Sequence, residues 1–402
     1  MSRELARRIA FTIGALLLYR LGSQIPVAGL NLASYSPMVD FISRLSIFAL
    51  GLIPYLTAAI VLRLLAVVWR GLNSLEQSGE RGRRKVARAT LGLTIGLAAF
   101  QAFGIASALT SIPGLVRNPD GWFVITATAS MVGGVFVLVW LSEQITRHGI
   151  GNGLAVILSA GFLAPIPRDI AGIAGLVQTG AISGNLVLGH AVAWVVTFVV
   201  IVLVEGARRD IPVAFGAREI GAHQLPAREA LLPIKLNSAG YLIPVTVAPW
   251  VLFLPLAVAG LFLGSDHPVV AAAYRNLQIG QPAYLILVSG AVFVLAFLYT
   301  AYIVDPEHAA KSLARHGGTI AGVAGDATAD HLDRVVSLTT VIGAVYLTAL
   351  QLIPGVFDLY GIGLPYSMIV NGGAALVVVG TALDIRAQVR DVSLTNPGGV
   401  RR

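Results

Sequence analysis

Apolar residues run along this chain in long blocks, broken by short clusters of Gly, Pro, Ser and Arg. A helix needs roughly 20 mostly apolar residues to cross about 30 Å of hydrocarbon. Such runs occur near 9–25, 47–68, 89–110, 121–145 and 153–178, and again near 185–204, 239–263, 283–303, 335–353 and 366–384. The pattern predicts an all-α membrane protein of ten transmembrane helices. The fifth run carries Pro165 and Pro167 beside Arg168 and Asp169, which predicts an early end or a kink there. Arg3, Arg7 and Arg8 lead into an apolar run too long for a signal-peptide core, so the first span is expected to be retained.

The runs divide near residue 180 into an N-terminal half, 1–180, and a C-terminal half, 181–402, with five spans each. An odd number of spans per half makes the halves inverted relative to each other, an arrangement many transport proteins share. Between the first two spans, Ile25–Arg44 holds Pro26, Gly29, Asn31, Ser34, Pro37 and Asp40 and is too polar and short to cross. Two readings fit it: an external loop, or a short re-entrant segment at about 31–45, which must be sheltered by protein or a water-filled cavity.

Composition agrees with the pattern. The 402 residues are 56% hydrophobic and 12% charged, against about a quarter charged in soluble domains. There is no cysteine, which excludes a disulfide framework and a thiolate metal site. The net charge of +8 matters here for its placement. With the N-terminus cytoplasmic, only Arg20, Arg44, Arg63, Arg117, Arg168 and Arg275 of the 28 Lys and Arg lie outside the cytoplasmic segments. The bias puts both termini in the cytoplasm. Two of those segments, about 205–238 and 304–334, are long, and their basic residues either enforce topology or dock a cytoplasmic partner.

Polar residues within the spans are few. Arg63 sits among Ile60, Val61, Leu62, Leu64 and Leu65, and either faces the bundle interior or snorkels toward the interface. Gln101 and Asn237 are milder cases that suit hydrogen bonds between helices. The run Gly149-Ile150-Gly151-Asn152-Gly153 lacks the preceding strand of a dinucleotide fingerprint and reads as a helix-to-helix turn needing positive φ. His190, the one histidine within a span, suits a packing hydrogen bond better than a proton relay. No zinc helix or nucleophile elbow occurs, so neither an enzyme nor a cofactor is expected.

Several stretches, read in order, resemble the SecY family of protein-conducting channels. They are Ile25-Pro26-Val27, Ser46 through Tyr55, Gly79-Glu80-Arg81-Gly82-Arg83-Arg84-Lys85, Trp140 through Thr146 before the glycine turn, Leu232 through Gly240, Asp305-Pro306-Glu307, and Gly372-Gly373. The resemblance implies a translocase channel subunit of the inner membrane, with an hourglass pore between the halves and a lateral gate between the second and seventh spans. Unfolded secretory polypeptides would cross it and hydrophobic segments would leave it into lipid. The implied partners are SecE-like and SecG-like small subunits, and the SecA ATPase or the ribosome, which would supply the drive. Carried over by position, the pore ring falls on Leu52, Leu56, Leu154, Leu158, Val245 or Thr246, and Val378. The gate's polar residues fall on Arg63, Gln101 and Asn237, and the docking residues on Arg208, Arg209, Arg218, Lys311 and Arg315.

Three departures from the family pattern stand out: a plug segment shortened between Asn31 and Ile42, Arg63 where the gate has a glutamine, and Ala324 where the second long loop has an arginine. They raise an accessory copy beside a housekeeping one. A secondary transporter with inverted five-helix repeats is the competing class, but it needs a midplane carboxylate that the spans lack.

Overall fold

A computed structural model describes residues 3–31, 45–69, 71–72, 75, 79–216, 218–220, 223–225, 228–240, 243–264, 267–278, 280–361, 363–364 and 372–395. Nearly all of the plug-like segment, including Met38–Phe41, lies outside them. In chain order the elements are α1 (Arg3–Gly22), α2 (Ile53–Val68), α3 (Glu80–Thr110), α4 (Gly121–His148), α5 (Gly153–Leu163), α6 (Ile166–Gln178) and α7 (Gly184–Gly206). Then come β1 (Arg208–Phe215), β2 (Arg218–Ile220), β3 (His223–Leu225), β4 (Arg228–Lys235), α8 (Ile243–Leu263), α9 (Pro268–Asn276) and α10 (Pro282–Ile303). Last are α11 (Pro306–Arg315), β5 (Gly318–Ile320), α12 (Thr328–Leu359) and α13 (Gly372–Thr395).

Among the described residues, 7 helical stretches are long and apolar enough to cross a membrane, from 80–110 to 372–390. The shorter apolar helices Ile53–Ala66 and Val251–Leu263, together with α1, fill the other expected positions. The fifth run breaks between α5 and α6 at the prolines, as their missing N–H requires. Helix α3 starts at Glu80, well before its apolar run. Glu and Arg are good helix formers, and the exposed pair Glu80–Arg84 at 3.2 Å spans one turn there.

The chain forms two compact units, Met1–Arg168 with Val377–Arg402, and Asp169–Leu376. The first is built on α4. Ala98, Ala102 and Ala106 of α3 belong to the same core as Ala127, Met131, Val135 and Leu138 of α4; alanines one turn apart let two helices approach closely. At Gly134 a Cβ would strike the backbone carbonyl of Ile47.

The glycine turn at 149–153 is the clasp of this unit. Gly151 has φ +84°, the left-handed conformation that glycine adopts freely. The turn's amides are taken up from three directions: Ile150 N–H donates to Thr12 Oγ1 of α1 (2.9 Å), Gly151 N–H to Gln388 Oε1 of α13 (2.8 Å), and Gly153 N–H to Thr146 Oγ1 of α4 (2.8 Å). A Cβ at Gly153 would lie on the carbonyl of Ser142. Deeper along α5, Ser159 Oγ donates to Thr381 Oγ1 at 2.9 Å, tying α5 to α13.

In the second unit, the two segments read from sequence as long loops fold into one module. Strands β1 and β4 form an antiparallel hairpin in register Arg208↔Lys235 to Phe215↔Arg228. From the other segment, β5 adds antiparallel to β1, pairing Val213 with Ile320. Ile211, Val213, Ile320, Leu332 and Val335 are buried together, with Phe215, Leu232, Ile234 and Leu313 packed against them. Pro212 and Pro233 fall on alternate pairs of one set, Asp210↔Pro233 and Pro212↔Leu231. In an antiparallel ladder that set is the one whose N–H groups point away from the partner, so neither proline removes a rung. Strand β5 stops at Val213, one residue short of Pro212.

Pro354 lies inside α12, so the Leu350 carbonyl has no i+4 donor within the helix. Gly372 packs on that carbonyl, where a Cβ would collide. His190 in α7 is buried, with Nδ1 2.9 Å from the Leu186 carbonyl and its ring 4.8 Å from that of Phe357. It is a packing histidine.

Candidate functional site

Five of the expected ring residues lie in the first unit. Leu52 precedes α2 and is wholly buried, Leu56 lies one turn on and is buried too, and Leu154, Leu158 and Val378 are half-buried. Leu52 belongs to the core built on α4, and Leu154 and Leu158 pack against it. Leu158 and Val378 are set at matching depth by the residues beside them, since Ser159 Oγ also approaches the Val377 carbonyl at 3.4 Å. Thus α2, α5 and α13 each carry branched apolar side chains that their own packing fixes. Val245 and Thr246 belong to α8 of the second unit, and their side chains lie outside the described residues.

The polar residues of the expected gate differ among themselves. Arg63 is exposed on α2 and borders a cavity of about 260 Å³ whose other polar walls are Tyr55, Arg83, Thr90 and Glu143, from α2, α3 and α4. The Arg63 side chain thus borders polar groups of its own unit. Gln101 on α3 is 9% exposed, and neither amide atom finds a hydrogen-bond partner. A buried orphan amide costs about 1–3 kcal/mol. Asn237 is buried in the second unit, in the connection between β4 and α8, and donates from Nδ2 to Glu205 Oε1 of α7 at 2.8 Å, so it ties a loop to a helix where the sequence suggested a bond between two helices. Gly343 of α12 lets that junction close, with a hypothetical Cβ 3.0 Å from the Leu236 carbonyl.

The basic docking candidates share the sheet module. Arg208 and Arg209 are exposed on β1, and Arg208 pairs with Asp210 at 3.3 Å. Arg218 begins β2, with its side chain outside the described residues. Lys311, paired with Glu307 at 3.1 Å, and Arg315 are exposed on α11, whose Ala309, Ala310 and Leu313 pack on the module core. Ala324 is exposed just before a short 3₁₀ turn. Sequence reasoning did not find the clasp residues Thr12 and Gln388 or the cavity beside Arg63, because each depends on partners from other helices.

The SecY family pattern matches residues 46–386. The protein translocase subunit SecY of Escherichia coli K12 is 36% identical over 98% of this chain and 93% of its own length. The chain belongs to the SecY family. The corresponding subunit of Rickettsia felis is 33% identical over 96% of this chain and 93% of its own length. Among solved structures, a SecY channel described for the sealing role of its plug domain superposes with a TM-score of 0.72 at 19% identity, covering 99% of this chain and 95% of that one. Sec61 from a canine ribosome–channel complex gives 0.68 at 18% identity, covering 99% and 95%. The SecY fold, with its ten transmembrane helices, is therefore that of this chain. It is a protein-conducting channel subunit of a translocase and not an enzyme, and the transporter alternative has no support.

Proposed function

We propose that this SecY-family channel seals on a collar formed by Leu52, Leu56, Leu154, Leu158 and Val378 with Val245 or Thr246, and opens sideways between α2 and α8. The observation that carries the reading is the fixed set of branched apolar side chains on α2, α5 and α13. A narrow dry collar blocks ions, yet its side chains give way around a passing chain. Pro249 and Pro255 inside α8 leave the carbonyls of Val245 and Val251 without helix donors, which makes α8 easier to bend than its neighbours. The orphan amide of Gln101 and the cavity-lining Arg63 supply polar groups that a closed apolar interface would not need. On this reading both termini are cytoplasmic in the bacterial inner membrane, and the sheet module projects into the cytoplasm. SecE-like and SecG-like subunits accompany the channel, and a SecA-type ATPase or the ribosome docks on Arg208, Arg209, Arg218, Lys311 and Arg315. Ribosome complexes of Sec61 and of yeast Ssh1 share the fold and favour such a dock. The exposed Ala324 removes one basic contact from it and, with the short plug segment, favours an accessory channel.

Purification from native membranes with identification of bound proteins tests the assignment. Co-purification of a SecE-like subunit together with SecA or ribosomes is expected, and recovery without either would overturn the partner reading. Full rescue of a strain depleted of its housekeeping channel would overturn the accessory reading.

A further inference from the structure

One carboxylate of the second unit has no part in the collar, the gate or the dock. Glu205 stands half-buried in the last turn of α7, and no basic side chain shares that turn. A negative side chain at a helix C-terminus opposes the macrodipole, so its own helix gains nothing from it. It holds Asn237, 3% exposed, whose Nδ2 donates to Glu205 Oε1 at 2.8 Å. We propose that Glu205 is a positioning residue for the gate. Through Asn237 it fixes the cytoplasmic root of α8, and α8 swings about the 238–240 turn while α7 and the sheet stay in place. The proposal rests on the reading that the channel opens beside α8.

The chain is gripped up to Asn237 and released after it. Leu236 N–H donates to the Ala207 carbonyl at 3.1 Å, which carries the β1–β4 ladder back to the foot of α7. Helix α12 abuts the same stretch: a Cβ at Gly343 would lie 3.0 Å from the Leu236 carbonyl and 3.3 Å from Asn237 Cα. A hydrogen bond to an ionised acceptor is roughly twice as strong as a neutral one, so the carboxylate fastens Asn237 better than an amide would. Three residues on, Gly240 has φ +72° and open space at its Cβ position, and its N–H reaches the Asn237 carbonyl only at 3.4 Å. Glycine leaves the backbone the widest choice of angles there. Helix α8 follows from Ile243, with Pro249 and Pro255 inside it. A firm anchor followed at once by a glycine in open space is the arrangement of a hinge, where a few residues at the end of an element absorb the change in φ and ψ.

The chain has no cysteine, so an introduced disulfide can stand in for the anchor. Ala207 and Leu236 form the next, hydrogen-bonded pair of the ladder, in which Cα atoms are about 5.5 Å apart, within disulfide reach. In planar bilayers Glu205→Ala should raise ion conductance several-fold. Combined with Ala207→Cys and Leu236→Cys, it should leak when reduced and seal again when oxidised, because the cross-link holds the root that Glu205 no longer holds. With Glu205 in place, the oxidised Ala207→Cys, Leu236→Cys channel should still export a signal-sequence reporter, since the pivot lies beyond the cross-link. Loss of that export on oxidation, regained with reductant, would mean that the sheet moves with the gate and would overturn the pivot. A Glu205→Ala channel that seals like the parent, or whose leak oxidation does not lower, would overturn the positioning role; a lowered melting temperature without leak would make the bond a packing contact only. Should Glu205→Ala fail to accumulate, Glu205→Gln, which keeps an acceptor without the charge, carries the same test with a smaller leak expected. The collar and gate reading fails on Leu56→Ser conductance and this one on the response to oxidation, so the two failures are distinct.

Discussion

The glycine clasp offers the sharpest test of how the first unit is held together. At Gly153 a methyl group would occupy the position of the Ser142 carbonyl, and its nearest neighbours are all backbone atoms of Ser142, with no flexible side chain to yield. Relief requires α5 to move away from α4, which weakens the Gly153 N–H to Thr146 Oγ1 hydrogen bond and shifts Leu154 and Leu158 with it. Overpacking a tight contact costs about 1–3 kcal/mol, and the lost hydrogen bond adds about 1 kcal/mol, so Gly153→Ala should be destabilised by roughly 2–4 kcal/mol. At Gly151 the left-handed backbone sets the cost, about 1–2 kcal/mol; the nearest atoms there are side-chain carbons of Ile385 and Val156 that can turn aside. Gly104, inside α3 with open space around its Cβ position, should gain about 0.5–1 kcal/mol as alanine. Apparent melting temperatures in one detergent should therefore fall in the order Gly104→Ala, parent, Gly151→Ala, Gly153→Ala. The Gly153→Ala channel should also leak ions. A Gly153→Ala protein that melts with the parent would refute the close-approach argument, and one that melts low without leaking would separate the clasp from the seal.

Three further outcomes are expected. Leu56→Ser should raise ion conductance in planar bilayers several-fold, and an unchanged seal would remove Leu56 from the collar. Ile320→Ala deletes a side chain that is 5% exposed and joins β5 to β1, at about 2–5 kcal/mol; limited proteolysis should then cut both 205–238 and 304–334 faster, not the second alone. Asn237→Ala leaves Glu205 without its 2.8 Å donor, costing about 1–3 kcal/mol, which a lowered melting temperature should report and an Asn237→Ser variant should partly restore.

The spans were legible because hydrophobic length is a local property, read residue by residue without a partner. The proline break after α5 and the positive φ of Gly151 were equally local, and the structure has both. The sheet was not legible. Ile211, Val213 and Phe215 do alternate, but Pro212 between them argues against a central strand, and β5 lies about a hundred residues away in the chain. The ends of α3 and α12 overran their apolar runs because helix propensity continues where hydrophobicity stops. For the candidate site, positions could be transferred along the chain, but the surroundings could not. Asn237 was expected at a helix start but lies in the connection before α8, and Glu205 as its acceptor required the fold.

The sheet that joins the two long segments has a consequence for swapping parts between channels. Its strands are rooted in α7, α8, α10 and α12 at once. A chimera that imports residues 205–238 from a relative while keeping the native 304–334 would bring a β1 whose Val213 must meet a foreign Ile320. The heritable part is therefore the pair of segments, and changes in one should be accepted only with matching changes in the other.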